Sequence, residues 1–307
     1  MALYINTNIS SLIAQRNATR ATDNLDVSYE RLASGLRINS AKDDPAGIQI
    51  SDRLTSQIDH LAMGNRNAQD CMSFAQTAEG AFDEITNMLQ RIRTLAVQSA
   101  TGSMTDSDRQ AIQEEVDQLN AEIVRISEDT TFAGSDLLNG KAGTVIFQVG
   151  ADPNSTVSID LNTAFDTSSI ALQAAMIHGD TFNAVNGSVV MTYRYTEVFT
   201  FNKEGGGIDI TTASRAQTVL AGIDGLINAV DSKRAELGAM QNRMEATIRN
   251  QSNVSEQVSS ARARIRDTDW AEETAHLTSN NILQQATTSI LTQANTRPQI
   301  ALQLLAQ

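Results

Sequence analysis

The sequence predicts a mainly α protein: a long antiparallel helical bundle of coiled-coil character with a β-hairpin, a small β-containing insertion and paired terminal helices. Three observations carry this. Apolar residues at Val219, Ile223, Leu226, Val230, Leu237, Met240, Met244, Val254, Val258, Ala261 and Ile265 keep a 4-3 rhythm, broken at Lys233, Thr247 and Gln251. That is a coiled-coil seam, and at 1.5 Å per residue the helix would be about 70 Å long. Similar stripes at 48–100 and 106–128 supply partners, and the short loop at 101–105 makes those two antiparallel. Between Phe132 and Phe201 the composition turns aromatic and β-prone.

The first helix opens with Ile5, Ile9, Leu12 and Ile13, continues through Ala18, Leu25 and Leu32, and stops at Gly35, a residue suited to a left-handed C-cap. Its stripe is thin, and a helix of this kind draws its stability from packing. Asn39, Ser40, Asp43, Asp44, Pro45 and Gly47 then form a structured connector, since Pro45 forbids a continuous helix through Asp44. The second helix starts near Ile48 and follows Leu54, Ile58, Leu61, Ala68, Met72 and Ala75. Two successive steps of three, from Met72 to Ala75 to Ala78, overwind it before the rhythm resumes at Phe82, Ile85, Leu89, Ile92 and Ala96.

Thr105 is a good N-cap for the third helix, with Asp106 and Asp108 in the first turn, where the helix dipole favours anions. Val145–Val149 and Thr156–Leu161 flank a turn-rich loop and predict a hairpin. Tyr193, Tyr195, Phe199 and Phe201 alternate in a β-prone run from Val189 to Phe201. The terminal helix carries Leu277, Ile282, Leu283, Ala286, Ile290, Leu291 and Ala294; Pro298 is expected to interrupt it ahead of an apolar tail of Ile300, Leu302, Leu304 and Leu305. Such a tail is an association surface.

No catalytic constellation emerges. Asp43-Asp44 reads as turn chemistry, because adjacent side chains point apart. His60, His178 and His276 have no partners at metal-binding spacing, and His276 is expected to pair with Glu272 on an exposed helix face. Gly205-Gly206-Gly207 lacks the Lys-Ser or Lys-Thr of a phosphate loop. Arg262, Arg264 and Arg266 are expected to pair with neighbouring acids. The formal charge of −13 argues against nucleic acid and anionic lipid. The one cysteine, Cys71, excludes an intrachain disulfide and reads as a small buried hydrophobe. The opening residues lack the basic and apolar regions of a secretory signal, and no 18-residue apolar run predicts a membrane span. No enzyme activity, cofactor or metal is expected.

Several long motifs resemble bacterial flagellin. They are Ile5-Asn6-Thr7-Asn8, Leu12-Ile13-Ala14-Gln15-Arg16-Asn17, the run from Arg31 to Gly47, Ala75–Ala81 and Leu89–Gln98. In the C-terminal half they are Leu237–Arg243, Arg264–Asp269 and Ile282–Ala286. The resemblance covers about 1–160 and 215–300. It implies a structural subunit of the extracellular flagellar filament, exported unfolded by the flagellar type III system, with no activity as an enzyme. A hook–filament junction protein of the same terminal-helix design is the alternative.

The family's organisation implies an inner core from 1–42 and 266–307, an outer-tube bundle from 43–164 and 211–265, and a reduced variable surface insertion at 165–210. Self-assembly would fall to Ile5, Ile9, Leu12, Leu283, Ile290, Leu291, Leu302 and Leu305. Implied partners are other copies of the chain, the filament cap and hook–filament junction proteins, an export chaperone at the C-terminal helix, and a host Toll-like receptor. The receptor contact would use Arg91, Leu95 and Glu115, with Leu95 on the helix surface; Thr94 stands where many strongly recognised members have Glu. Ser168, Ser169, Thr181 and Ser188 are candidate O-glycan acceptors.

Overall fold

The computed structural model describes residues 7–186, 189–199 and 208–305. Helix α1 spans Ile9–Ser34, α2 Pro45–Ser99 and α3 Asp106–Asp129. A minimal pair, β1 Thr131–Phe132 and β2 Ser135–Asp136, precedes the hairpin of β3 Gly143–Gln148 and β4 Thr156–Leu161. Then follow α4 Thr167–His178, the hairpin of β5 Thr181–Asn186 and β6 Val189–Arg194, the single turn α5 Tyr195–Val198, α6 Ala213–Arg266 and α7 Trp270–Leu305. No helix is long and apolar enough to cross a membrane among the described residues.

The chain divides into two compact units, one of residues 1–59 and 254–307, the other of 60–253. In the second, α2 runs antiparallel to α6: Glu79 accepts from Gln241 at 2.6 Å, Asp83 pairs with Arg234 at 2.9 Å, and Arg93 pairs with Asp224 at 2.8 Å. Between them the stripe residues Phe82, Ile85, Leu89 and Ile92 of α2, and Val219, Ile223, Leu226 and Val230 of α6, are buried. Val116 and Ile123 of α3 join them. Full burial of each such side chain stabilises the fold by about 1.5–3 kcal/mol. Helix α3 begins with a complete capping box: Asp108 N–H donates to Thr105 Oγ1, and Thr105 N–H donates to the Asp108 carboxylate at 3.1 Å.

The β3–β4 hairpin is antiparallel, from Gly143 opposite Leu161 to Gln148 opposite Thr156. It turns Val157, Ile159 and Leu161 inward, as strand alternation requires. Gln251, a break in the seam of α6, is buried and donates to the Val149 carbonyl beside the hairpin loop. Asn67 of α2 donates to the neighbouring Gln148 carbonyl at 2.8 Å. The polar seam position thus fastens the hairpin to the bundle.

The segment expected as a surface insertion shares the bundle's core. Phe165, Ile170, Ala171 and Ala174 are fully buried, and Phe165 packs edge-on against Phe82 with ring centroids 4.6 Å apart. Helix α4 was not anticipated. The strand expected through Phe201 ends at Arg194, where the chain turns through α5 and aims Tyr195 and Phe199 inward. They meet a notch on α6. A Cβ at Gly222 would stand 2.6 Å from Phe199 Cε2 and 2.7 Å from Phe182 Cζ, and one at Gly225 would stand 2.8 Å from Tyr195 Cε1.

In the first unit, the connector matches its turn chemistry. Asp43 Oδ2 accepts from the backbone of Asn39 and Ser40 at 3.1 and 2.9 Å. Asp44 Oδ1 accepts from Ala46 and Gly47 N–H at 3.0 Å, capping the helix that Pro45 begins. Gly35, at φ 72°, closes α1 as expected. Helix α7 differs from expectation: it continues through Pro298 to Leu305. Proline removes one N–H from the helical ladder, and a continuous helix persists where the carbonyl four residues earlier finds another donor.

Candidate assembly surfaces

Helix α1 lies along α7, and the two run antiparallel. Asn8 and Ser11 meet Ala294 and Asn295 at one end, Thr22 meets Gln284 midway, and Arg31 meets Glu273 at the other end of the pair. At the closed end Arg37 N–H donates to the Arg266 carbonyl at 2.6 Å, and Thr268 N–H donates to the Gly35 carbonyl at 3.0 Å. Glu273 is buried and paired with Arg31 at 3.4 Å. Arg262 donates to the Thr55 hydroxyl at 3.4 Å, where an acid was expected. His276 lies 3.8 Å from Glu272, the expected helical neighbour.

The faces that meet are unlike those expected. Helix α1 buries Ala14, Ala21, Leu25 and Ser28, small residues apart from Leu25. Glu273, Leu277, Asn280, Gln284, Thr287, Leu291 and Ala294 are sheltered positions of α7 in a 4-3 rhythm, with Asn281 beside them, and the set is largely polar. The larger apolar side chains face outward: Ile9, Leu12 and Ile13 on α1, and Ile282, Leu283 and Ile290 on α7, are each about half exposed or more. Six such side chains on one helix pair leave apolar surface of the kind that marks a protein interface. Leu291 is half-buried within the pair. Ile5 lies outside the described residues, as do the side chains of Leu302 and Leu305 at the end of α7.

Arg91 and Glu115 form an exposed ion pair, with Nε and Nη2 of Arg91 2.8 and 2.5 Å from Glu115 Oε1. Thr94 is exposed beside them. Leu95 is a correction: it is 2 % exposed and belongs to the core, so its side chain presents no surface. A single stripe at Ile92 and Ala96 would leave Leu95 at its margin; α2 is flanked by both α3 and α6, and two partners bury a wider face. Of the candidate glycan acceptors, Ser168 and Ser169 are half-buried in the first turn of α4, Thr181 is exposed, and Ser188 lies outside the described residues.

No cluster of three or more potential metal ligands occurs among the described residues. The Cys71 thiol is fully buried, and loss of solvation pushes its pKa up to about 11. A hollow beside the hairpin, with a volume of about 430 Å³, is lined by Phe74, Phe132, Val145 and Phe147 together with the polar Ser135 and the Asp136–Lys141 pair. The aromatic notch of α6 was missed by sequence reasoning, although two glycines three residues apart inside a seam were its signal.

Residues 5–143 match the family profile of the bacterial flagellin N-terminal helical region, and residues 220–305 match that of the C-terminal helical region. The chain is similar to flagellin B of Vibrio anguillarum, with 40 % identity over 381 aligned positions covering 99 % of this chain and 100 % of the relative. It is equally similar to polar flagellin A of Vibrio parahaemolyticus, at 40 % over 375 positions with the same coverage. Alignments longer than the 307-residue chain mean that these relatives carry residues it lacks. Among solved structures, a Vibrio parahaemolyticus chain assigned as a flagellar hook-associated protein shares the fold, with a TM-score of 0.53 at 15 % identity, covering 73 % of this chain and all of that one.

Proposed function

The chain belongs to the bacterial flagellin family, and from that premise we propose how its surfaces serve a structural subunit of the flagellar filament. Members of this family self-assemble into filaments outside the cell, and they are not enzymes. One observation carries the surface assignment. The α1–α7 pair satisfies its own contact with small and polar residues and leaves its larger apolar side chains outward. Ile9, Leu12, Leu283 and Ile290 therefore bury their surface against neighbouring copies, with Leu291 supporting the pair from within. Ile5, Leu302 and Leu305 extend the same role toward the two ends of the chain.

In this reading 1–42 and 266–307 form the filament's inner core, 43–164 and 211–265 its outer tube, and 165–210 a reduced insertion whose Phe165, Ile170, Ala171 and Ala174 pack into the tube's own core. The subunit leaves the cell unfolded through the flagellar type III system. An export chaperone holds the C-terminal helix beforehand, and the cap and hook–filament junction proteins bound the growing polymer. The exposed Arg91–Glu115 pair is the surface offered to a Toll-like receptor, with Leu95 supporting it from the core. Thr181 is the best exposed of the described glycan acceptors.

Seeded growth tests the assembly surface. Purified chain added to filament fragments should elongate them into micrometre filaments, whereas a hook–filament junction protein should not polymerise alone. Ile290→Asp should abolish elongation while the helical circular dichroism and urea midpoint of the soluble chain stay close to wild type, because the residue is 56 % exposed within one chain. Normal filaments from that variant would remove Ile290 from the interface.

A further inference from the structure

We propose that Asn8 and Pro298 together lock the register of the terminal helix pair: Pro298 withholds the N–H that would occupy the Ala294 carbonyl, and the Asn8 amide supplies the donor instead. In an α-helix the carbonyl of residue 294 accepts from the N–H of residue 298. Helix α7 passes through that position, and proline has no N–H to give. Ala294 is 5 % exposed, so water does not readily replace the missing donor. Asn8 Nδ2 donates to the Ala294 carbonyl at 2.8 Å.

The other end of the same amide is also engaged. Asn8 Oδ1 accepts from Ser11 N–H at 3.1 Å and caps α1. An amide offers an acceptor at one end and donors at the other, and these two bonds fix which way it points. The residue that starts α1 is thereby the residue that reads α7. Ser11 Oγ, 2.8 Å from Asn295 Oδ1, extends the contact by one position.

Such a lock answers a need visible in the pair. The inner faces present alanines, serine, threonine, asparagine and glutamine, with few large knobs, and interfaces of this kind specify register weakly. Over the half of the pair that holds Ala14 and Ala21, sliding α1 by a turn would exchange one small residue for another; the buried Glu273, paired with Arg31, sets the register only at the opposite end. Pro298 is the only proline of α7, so Ala294 has the only carbonyl whose helical donor is removed in this way. Only one register brings Asn8 to it.

The inference goes beyond the filament reading and rests on it only for its first readout. Asn8→Ser keeps a capping oxygen but is too short to reach Ala294; Pro298→Ala restores the helical N–H. Seeded elongation gives the critical subunit concentration of each variant. Asn8→Ser should raise it about 5–10-fold, as expected when a buried acceptor loses its donor. Pro298→Ala alone should leave it within about twofold, and Asn8→Ser added to Pro298→Ala should raise it no further. Equal effects of Asn8→Ser in both backgrounds, or none in the native one, would overturn the lock. If Asn8→Ser stops growth altogether, the double variant should grow again, and its failure to do so would also overturn it. A wild-type chain that fails to elongate counts against the filament reading alone. The same cycle is then read on amide hydrogen exchange of α1 and α7 in the soluble chain, where coupling supports the lock and additivity refutes it.

Discussion

Asp43 shows how much of the connector is written in single side chains. Hydrogen bonds from Ser40 and Asn39 hold its carboxyl below the usual range, the Ser40 backbone N–H contributing most. A depressed folded pKa means stability that is present above the unfolded pKa and lost as pH falls through the folded one. The difference in unfolding free energy between wild type and Asp43→Asn should therefore shrink as pH is lowered from about 5 to below about 3, followed by urea titration at each pH. A difference independent of pH would show that the carboxylate is not the group that matters. Features of this reach were legible in the sequence: the Asp43 and Asp44 turns and the Thr105 cap each join residues two to four apart. Leu95 was not, because its burial depends on how many neighbours α2 has. Nor was the bond between Asn8 and Ala294, which joins residues far apart in the chain.

At the level of elements, the long helices were legible almost to their ends, since a 4-3 stripe sustained over many turns has few competing explanations. The region from 165 to 199 was read less well. Helix α4 is short and mostly sheltered, so it lacks the polar face that gives a helix its period; its Asp166 N-cap was the remaining clue. The aromatic alternation suggested a strand through Phe201, but Tyr195 and Phe199 are held by α6, an element later in the sequence. That contact yields a paired prediction. Gly222→Ala places a methyl group against Phe199 and Phe182 and should destabilise the chain by about 1–3 kcal/mol. Gly238→Ala, in the same helix with nothing within 4 Å of the added carbon, should stabilise it by up to about 1 kcal/mol. Urea denaturation of both variants checks the difference, and equal effects would mean that the notch is not close-packed.

Across the whole molecule, apolar burial is unevenly shared. The principal buried cluster runs from Ala68 to Met244 and lies wholly within the unit of residues 60–253. The pair of α1 and α7 depends on small and polar contacts. A fragment comprising residues 60–253 should accordingly fold by itself, with a cooperative thermal transition by calorimetry and a melting temperature within a few degrees of the full chain's main transition, about the shift that 1 kcal/mol produces. A broad, non-cooperative melt would show that its core needs the terminal helices.

The buried thiol of Cys71 carries a consequence for the polymer. A filament places very many copies of one chain side by side, and a reactive sulfhydryl on each would invite random covalent bridges as the subunits pass from a reducing cytoplasm to oxidising surroundings. In the folded subunit this sulfur is fully enclosed and holds its proton at any ordinary pH. Oxidation thus has no exposed thiolate on the folded subunit to work on, and neighbouring copies in the finished fibre are not bridged through this sulfur.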